Sequence, residues 1–461
     1  MKSVACVLTL LFCLSIVGSV AATEVLTLDD CIEVALQKRS SIIVARGNES
    51  LAGANKRAAL GAFLPRLEAS YNYSEGKTTD IKPDATVLDS MVPYVDTIEI
   101  NGVVYEGVGV RPYYHTEAAA DQNRSNKSLS FSANMTLFNL SNWFNLAGSK
   151  ADYARARLDV LGSEQDLIKA VKVSYYYYLA AVENIAVQKE AVARSEEQLK
   201  LINSKYELGS ASLSDVLKQK VQFGNDRLAL LAALNAVTSG RASLAYTVGL
   251  DPNGEYEFST EFARREYTGT LEEAMAFGLD HKPSLLAARK SVDASRYAVR
   301  SRYSEYLPTL GGWASISFAD GTQGDTATYN FSSRSSTIGF QVRWNIFDGF
   351  NRERNLTSAR IGLNNSRARL ADTRNLTAER IKTAYLDIER LKEKKKVSQE
   401  TVDAATEDHK ITQEKYNLGA ATILDLLDSQ VSLRQAQVSL IQADFNLNLA
   451  IAELENAMGK M

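Results

Sequence analysis

Lys205-Tyr206-Glu207-Leu208-Gly209-Ser210-Ala211-Ser212-Leu213-Ser214-Asp215 returns, 210 positions later, as Lys415-Tyr416-Asn417-Leu418-Gly419-Ala420-Ala421-Thr422-Ile423-Leu424-Asp425. The same offset pairs Tyr175 with Tyr385 and Gly249 with Gly459. Earlier in each copy, Thr27-Leu28-Asp29-Asp30 matches Thr270-Leu271-Glu272-Glu273 at an offset of 243. That register holds without a gap to Leu64-Pro65-Arg66-Leu67 and Leu307-Pro308-Thr309-Leu310. The chain is therefore a tandem duplication, with repeats at 23–252 and 253–461. The fall in offset from 243 to 210 leaves about 33 extra residues in the first copy, between Ser74 and Lys127. Gly, Pro, Asp, Asn and Ser are frequent there and no period holds, so 75–127 reads as a long loop, with a short counterpart at Asp320 to Ser335.

Each copy of the opening motif reads as two helices joined by a turn. Gly209 and Gly419 suit the left-handed residue that ends a helix. Ser212 to Asp215 and Thr422 to Asp425 have the S/T-x-x-D form of a capping box, which sets a carboxylate at the positive end of the next helix. Ahead of the first turn, Ile168, Val171, Tyr175, Tyr178, Val182, Ile185, Val192 and Leu199 follow a 3-4 spacing broken by Lys189 and Glu196, a coiled-coil seam. No proline lies between Pro112 and Pro252 or after Pro308. The first long helix is predicted from about Trp143 to Leu208, roughly 100 Å at 1.5 Å per residue.

Beside the loops the period changes to two. Leu129, Phe131, Ala133, Met135 and Leu137 alternate with small polar residues, as do Ile338, Phe340, Val342, Trp344 and Ile346. Weaker alternations run through Leu67, Ala69, Tyr71 and Tyr73 and through Gly312, Ala314, Ile316 and Phe318. Four strands are expected, at about 67–75, 127–138, 309–319 and 336–347, each with one apolar and one wet face. Glu68, Gln341 and Arg343 fall on wet faces; Trp313 and Trp344 are expected in an aromatic girdle at a membrane boundary. Four such strands cannot close a barrel, since barrels of this type start at about 8 strands; three chains supply twelve. The fold class is mainly α with a membrane β-barrel, its long helices packing into a hollow coiled-coil cylinder.

Met1 to Ala22 has the charge, apolar core and small-residue exit of a signal peptide, with cleavage expected after Ala22. Two of the three cysteines lie in that segment, leaving Cys31 without a disulfide partner, and no lipid anchor is expected. Beyond it no uninterrupted apolar run approaches the roughly 20 residues of a spanning helix. Without Lys2 the chain carries 51 Lys+Arg against 55 Asp+Glu, a balance that argues against nucleic acid as a partner. His115, His281 and His409 have no ligand spacing, and no nucleophile motif or phosphate-binding glycine loop is present. The residues point to no enzyme, no metal site and no cofactor, so energy for transport must come from a partner.

The Leu28-to-Leu36 and Leu271-to-Leu279 openings, the two Leu-Pro corners, Trp344-Asn345-Ile346-Phe347-Asp348-Gly349 and the paired Lys-Tyr-x-Leu-Gly turns resemble the signature segments of the TolC-like outer-membrane efflux proteins, from about residue 24 to the end. The resemblance implies a homotrimer in the outer membrane of a Gram-negative bacterium, with its helical part in the periplasm. It also implies docking to a periplasmic adaptor (membrane fusion) protein and an inner-membrane pump of RND, ABC or MFS type. Leu208, Gly209, Leu418 and Gly419 then mark the periplasmic tip where the adaptor docks. Asp428 corresponds to the family's constriction-ring carboxylate, and Asp425, Asp215, Tyr416 and Tyr206 complete the candidate gate. Ala421 stands where some members carry a latching arginine, and its counterpart in the first copy, Ala211, is also small. Efflux of small molecules is favoured over type I protein secretion. A coiled-coil or adhesin-like surface protein anchored by its strands is the alternative; it offers no reason for two matched tips and two matched hairpins.

Overall fold

The computed structural model describes residues 25–78, 85–117, 122–261, 266–324 and 329–460; the expected signal peptide lies outside them. Eight helices and six strands follow in the order α1 (Leu28–Lys38), α2 (Ser40–Gly61), β1 (Arg66–Thr78), β2 (Ala85–Ile100), β3 (Val103–Glu117), β4 (Gln122–Phe138), α3 (Leu140–Glu207), α4 (Leu213–Val248), α5 (Leu271–His281), α6 (Pro283–Ser304), β5 (Thr309–Gly324), β6 (Tyr329–Arg343), α7 (Asn351–Asn417) and α8 (Ile423–Met458). They form two compact units that cut across the sequence repeats. One comprises residues up to 56, 147–297 and 359–461; the other 57–146 and 298–358.

The helical unit holds one core per repeat. In the first, Cys31 and Ala35 of α1 pack with Val171, Tyr175 and Leu179 of α3 and Leu244 and Val248 of α4. In the second, Ala274 of α5 packs with Ile381, Ala384 and Ile388 of α7 and Leu454 and Met458 of α8. The duplication is kept at the helix ends. Gly249 and Gly459 both terminate their helices in the left-handed region, at φ 86° and 79°. Arg39 Nη1 donates to the Tyr246 carbonyl at 2.8 Å, and Lys282 Nζ donates to the Asn456 carbonyl at 2.6 Å. Positions 39 and 282 match between copies, so each repeat uses a cation to satisfy the negative end of its return helix. Lys282 is buried, and desolvation pulls its ammonium below the usual lysine range. Cys31 is a core residue whose thiol burial pushes up to about 12.

The two cores also differ in a compensating way. Ala35 and Val171 of the first repeat correspond to Gly278 and Ile381 of the second. A Cβ on Gly278 would lie 2.4 Å from Cδ1 of Ile381, an atom that valine lacks.

In the other unit β1, β4, β5 and β6 form an antiparallel sheet in that order, leaving β1 and β6 as free edges. β1 and β5 each start directly after a Leu-Pro corner, because proline cannot continue α2 or α6. Register places Glu68, Ser132, Ser315 and Thr337 in one row and Ser70, Ser130, Ser317 and Ser335 in another of the same face. The neighbouring row, Leu67, Ala133, Ala314 and Ile338, faces the other way, and Ile338 is 85% exposed in the single chain. An apolar face and two unpaired edges demand closure with further copies.

Three expectations are corrected. The 75–127 segment is not irregular: β2 and β3 pair into a separate long hairpin. Its turn is Asn101-Gly102, both residues at positive φ (52° and 81°), the turn that a two-residue hairpin favours. β6 ends at Arg343 rather than 347. Beyond it Gly349 and Phe350 turn left-handed at 67° and 65°, and Asp348 accepts the Arg352 amide at 3.2 Å to begin α7. Trp313 is not in a lipid-side girdle: it shares the polar face with Arg66, Asn134 and Gly339.

α4 is the one described helix long and apolar enough to cross a membrane. Leu213, Leu217, Val221, Leu228 and Leu231 are exposed along it at helical spacing, which marks a face awaiting another chain rather than a core.

Adding a methyl at position 278 overfills the second core, at a cost of about 1–3 kcal/mol. Gly278→Ala is therefore expected to lower the thermal midpoint of the helical circular-dichroism signal, and Ile381→Val in the same chain to recover most of the loss. A double variant as unstable as the single would show that the two positions do not share the space.

Candidate functional site at the paired helical turns

The sequence makes each turn with the same hydrogen bonds. Ser210 and Ala420 amides donate to the Lys205 and Lys415 carbonyls at 2.8 Å each. Gly209 and Gly419 supply φ of 76° and 78°. The following helices start in reciprocal capping boxes. The Asp215 amide donates to Ser212 Oγ at 3.2 Å, and the Ser212 amide donates to the Asp215 carboxylate at 3.1 Å. Asp425 is held more tightly, accepting the Thr422 hydroxyl at 2.7 Å and the Thr422 amide at 2.8 Å. Those two bonds, the hydroxyl first, hold its carboxyl below the usual range. Between the helices Leu208 and Leu418 project as exposed apolar side chains, 83% and 85% accessible.

The two tyrosines of the motif occupy different surroundings. Tyr416 packs against a small cluster of Ile202, Ile423 and Leu426, which joins α3 to the second turn. Lys205 Nζ lies 4.6 Å from the centre of its ring. Tyr206, the equivalent residue, is exposed and outside that cluster. Neither phenol makes a hydrogen bond to another described residue. Ala211 contributes only packing to the cluster.

Asp428 lies one turn beyond Asp425 on the exposed face of α8, while Ile423, Leu426 and Ser429 point inward. Among the described residues it makes no hydrogen bond or ion pair. No group of acidic, histidine or cysteine side chains suited to a metal ion occurs among the described residues.

The structure adds a polar seam that the apolar reading of α3 passes over. Toward the tip the buried residues of α3 are Gln188, Ala191, Ser195, Gln198 and Ile202, a 3-4 spacing in which Val192 and Leu199 lie one place off. The spacing was present in the sequence, hidden because three of its five members are polar. Gln219 Nε2 of α4 donates to the Ser195 carbonyl at 3.0 Å. Arg434 of α8 pairs with the buried Asp226 of α4, tying the two repeats together. Buried His409 of α7 meets Ser429 Oγ of α8 at 3.1 Å. Burial, reinforced by Arg194 and opposed by Asp408, holds its imidazole below the usual range. Buried polar groups are worth little unless fully satisfied, and Gln188, Gln198 and Gln219 each keep one unpartnered amide atom.

The profile of the outer membrane efflux protein family matches residues 31–250 and 278–460, covering both repeats. Outer membrane efflux protein BepC of Brucella suis is 22% identical across 96% of this chain and 87% of its own length. Alkaline protease secretion protein AprF of Pseudomonas aeruginosa is 25% identical across 63% of this chain and 60% of its own. The crystal structure of the outer membrane protein VceC from Vibrio cholerae shares the fold, with a TM-score of 0.73 over 94% of this chain and 96% of that one at 19% identity. Such proteins are trimeric outer-membrane channels of Gram-negative bacteria rather than enzymes. The chain belongs to the outer membrane efflux protein family.

Proposed function

We propose that three copies of this chain form the exit duct of a tripartite export system, which receives substrate from an inner-membrane pump through a periplasmic adaptor. The observation that carries the reading is the pair of identical turns, each presenting an exposed leucine on a backbone fixed by glycine and a capping box. Leu208-Gly209 and Leu418-Gly419 are the docking points for the adaptor, repeated six times in a trimer. Asp428 is the constriction residue. Three copies near an axis repel one another, raise one another's proton affinity and attract cations. Asp215 and Asp425 act mainly as helix caps that set the geometry from which Asp428 projects, while Tyr206 and Tyr416 occupy the same rim.

Small-molecule efflux is the favoured cargo class. The support is the extent of the similarity: the relative named for efflux matches 96% of this chain, against 63% for the relative named for protease secretion.

The purified trimer in planar bilayers is expected to conduct poorly, and Asp428→Ala to raise its conductance several-fold by removing the charged ring. An assembly that never conducts would sink the duct, whereas unchanged conductance in the variant would discard the gate alone.

His409 adds a pH dependence to the tip. Its folded pKa lies below the unfolded value of about 6.5. The packing it supports is thus complete above about pH 6.5 and is lost as the pH falls through the folded pKa. Amide exchange across 405–433 is expected to accelerate on acidification from pH 7.5 to 5 in the native protein, after correction for intrinsic rates. His409→Gln should flatten that trend; an identical acid response in the variant would assign it to other groups.

A further inference from the structure

The polar face of the sheet changes character toward the Leu-Pro corners. Glu68, Ser132, Ser315 and Thr337 are followed on the other side by Ser70, Ser130, Ser317 and Ser335 and then by Asn72, Ser128, Ala319 and Ser333. At the end nearest the Leu-Pro corners the row is Arg66, Asn134, Trp313 and Gly339. There the surface sinks into a cavity of about 500 Å³ lined by Arg66, Asn134, Trp313, Gln341 and Arg343, with no acidic side chain in its wall.

Each element of the cavity is placed by the sheet. Gly339 lies directly across the ladder from Trp313, and a Cβ there would come within 3.0 Å of indole atoms Cε2 and Cζ2. The missing side chain lets the indole lie across the β6 backbone with part of its surface open. Gly311, two residues before Trp313 on the same face, keeps the adjoining floor bare. Arg343 is braced by the Gln341 amide oxygen, which accepts from Nε at 3.2 Å and Nη2 at 2.8 Å once the amide is oriented by its hydrogen bonds. That leaves other guanidinium donors available. Among the described residues Arg66 makes no hydrogen bond or ion pair, even with Glu68 two residues along the same strand.

We propose that this cavity is a subsite for anionic aromatic compounds on the inner wall of the barrel. The ring of the ligand stacks on Trp313. Its carboxylate or sulfonate pairs with Arg66 and Arg343, and the Asn134 and Gln341 amides supply further donors. Charge-assisted, planar recognition of this kind is what guanidinium groups favour, and aromatic stacking adds a contact indifferent to the rest of the molecule. The placement of the polar face toward a lumen rests on the duct reading. A duct requires such a site to hold its cargo weakly, so that binding does not arrest passage.

The protein has three tryptophans, so Trp143→Phe with Trp344→Phe leaves Trp313 as the sole tryptophan, excited selectively at the red edge of its absorption. Titrating the detergent-solubilised trimer of that variant with 4-nitrobenzoate is expected to quench its emission saturably. Half-saturation should come at about tenfold lower concentration than with the neutral 4-nitrobenzyl alcohol. Adding Arg66→Gln and Arg343→Gln should reduce the anion to the level of the alcohol. Quenching that is unsaturable, or equal for both compounds and indifferent to the arginines, overturns the subsite. Should the double tryptophan variant not assemble, saturable block of the native channel current by 4-nitrobenzoate, abolished in Trp313→Ala, supports the same site, and its absence overturns it. The fluorescence readout does not depend on conduction, so a trimer that conducts but does not bind loses only the subsite, and one that binds but does not conduct loses only the duct.

Discussion

Unpaired backbone at the edges of the four-stranded sheet is the constraint on which the rest of the molecule depends. β1 and β6 each end the ladder with a row of free amides and carbonyls, and one face of the sheet is apolar. In hydrocarbon every unpaired backbone group costs several kcal/mol, so an open sheet of this kind has no stable place in a bilayer. A single chain has only four strands in that sheet and no means of closing it. Closure by three copies removes every edge at once, turns the apolar face to lipid and encloses the serine-rich face as a wet lumen.

Duplication provides that geometry with few independent solutions. Each repeat delivers one hairpin, one long outgoing helix and one returning helix, and the chemistry that fixes the corners is written twice: proline after the short helix, glycine at the far turn, a capping box to restart, and a cation over the final carbonyls. Where the copies drift apart they do so in step. The extra methylene of Ile381 over Val171 is matched by the missing methyl of Gly278 against Ala35, which keeps the packed volume constant. Divergence without compensation is found near the turns, where Tyr416 is packed and Tyr206 exposed, and where polar residues occupy the seam. A seam of glutamine, serine and histidine gains less from burial than one of leucine.

The duplication, the helical turns with their caps, the four amphipathic strands and the trimer arithmetic were all legible in the sequence, because each rests on local spacing or on a count. Periods of 2 and 3.6 follow from backbone geometry alone, and the glycine and S/T-x-x-D signals act within a single turn. The Asn101-Gly102 turn was equally local; composition outweighed it, and the long β2–β3 hairpin was read as loop. The exposed positions of Asp425 and Asp428 also followed from their spacing along α8.

Only the tertiary structure decided which residues meet. Register across β5 and β6 sets Trp313 over Gly339 and brings Arg66 and Arg343 to one cavity, although they are far apart in the chain. Packing of four long helices selects Gln188, Ser195 and Gln198 for the seam in place of the apolar Val192 and Leu199, and separates two tyrosines that the motif makes identical. The physical reason is the same in each case. A side chain's own backbone fixes its direction, but its environment is set by a partner strand or helix whose identity and register are long-range outcomes of closing the core and completing every hydrogen bond.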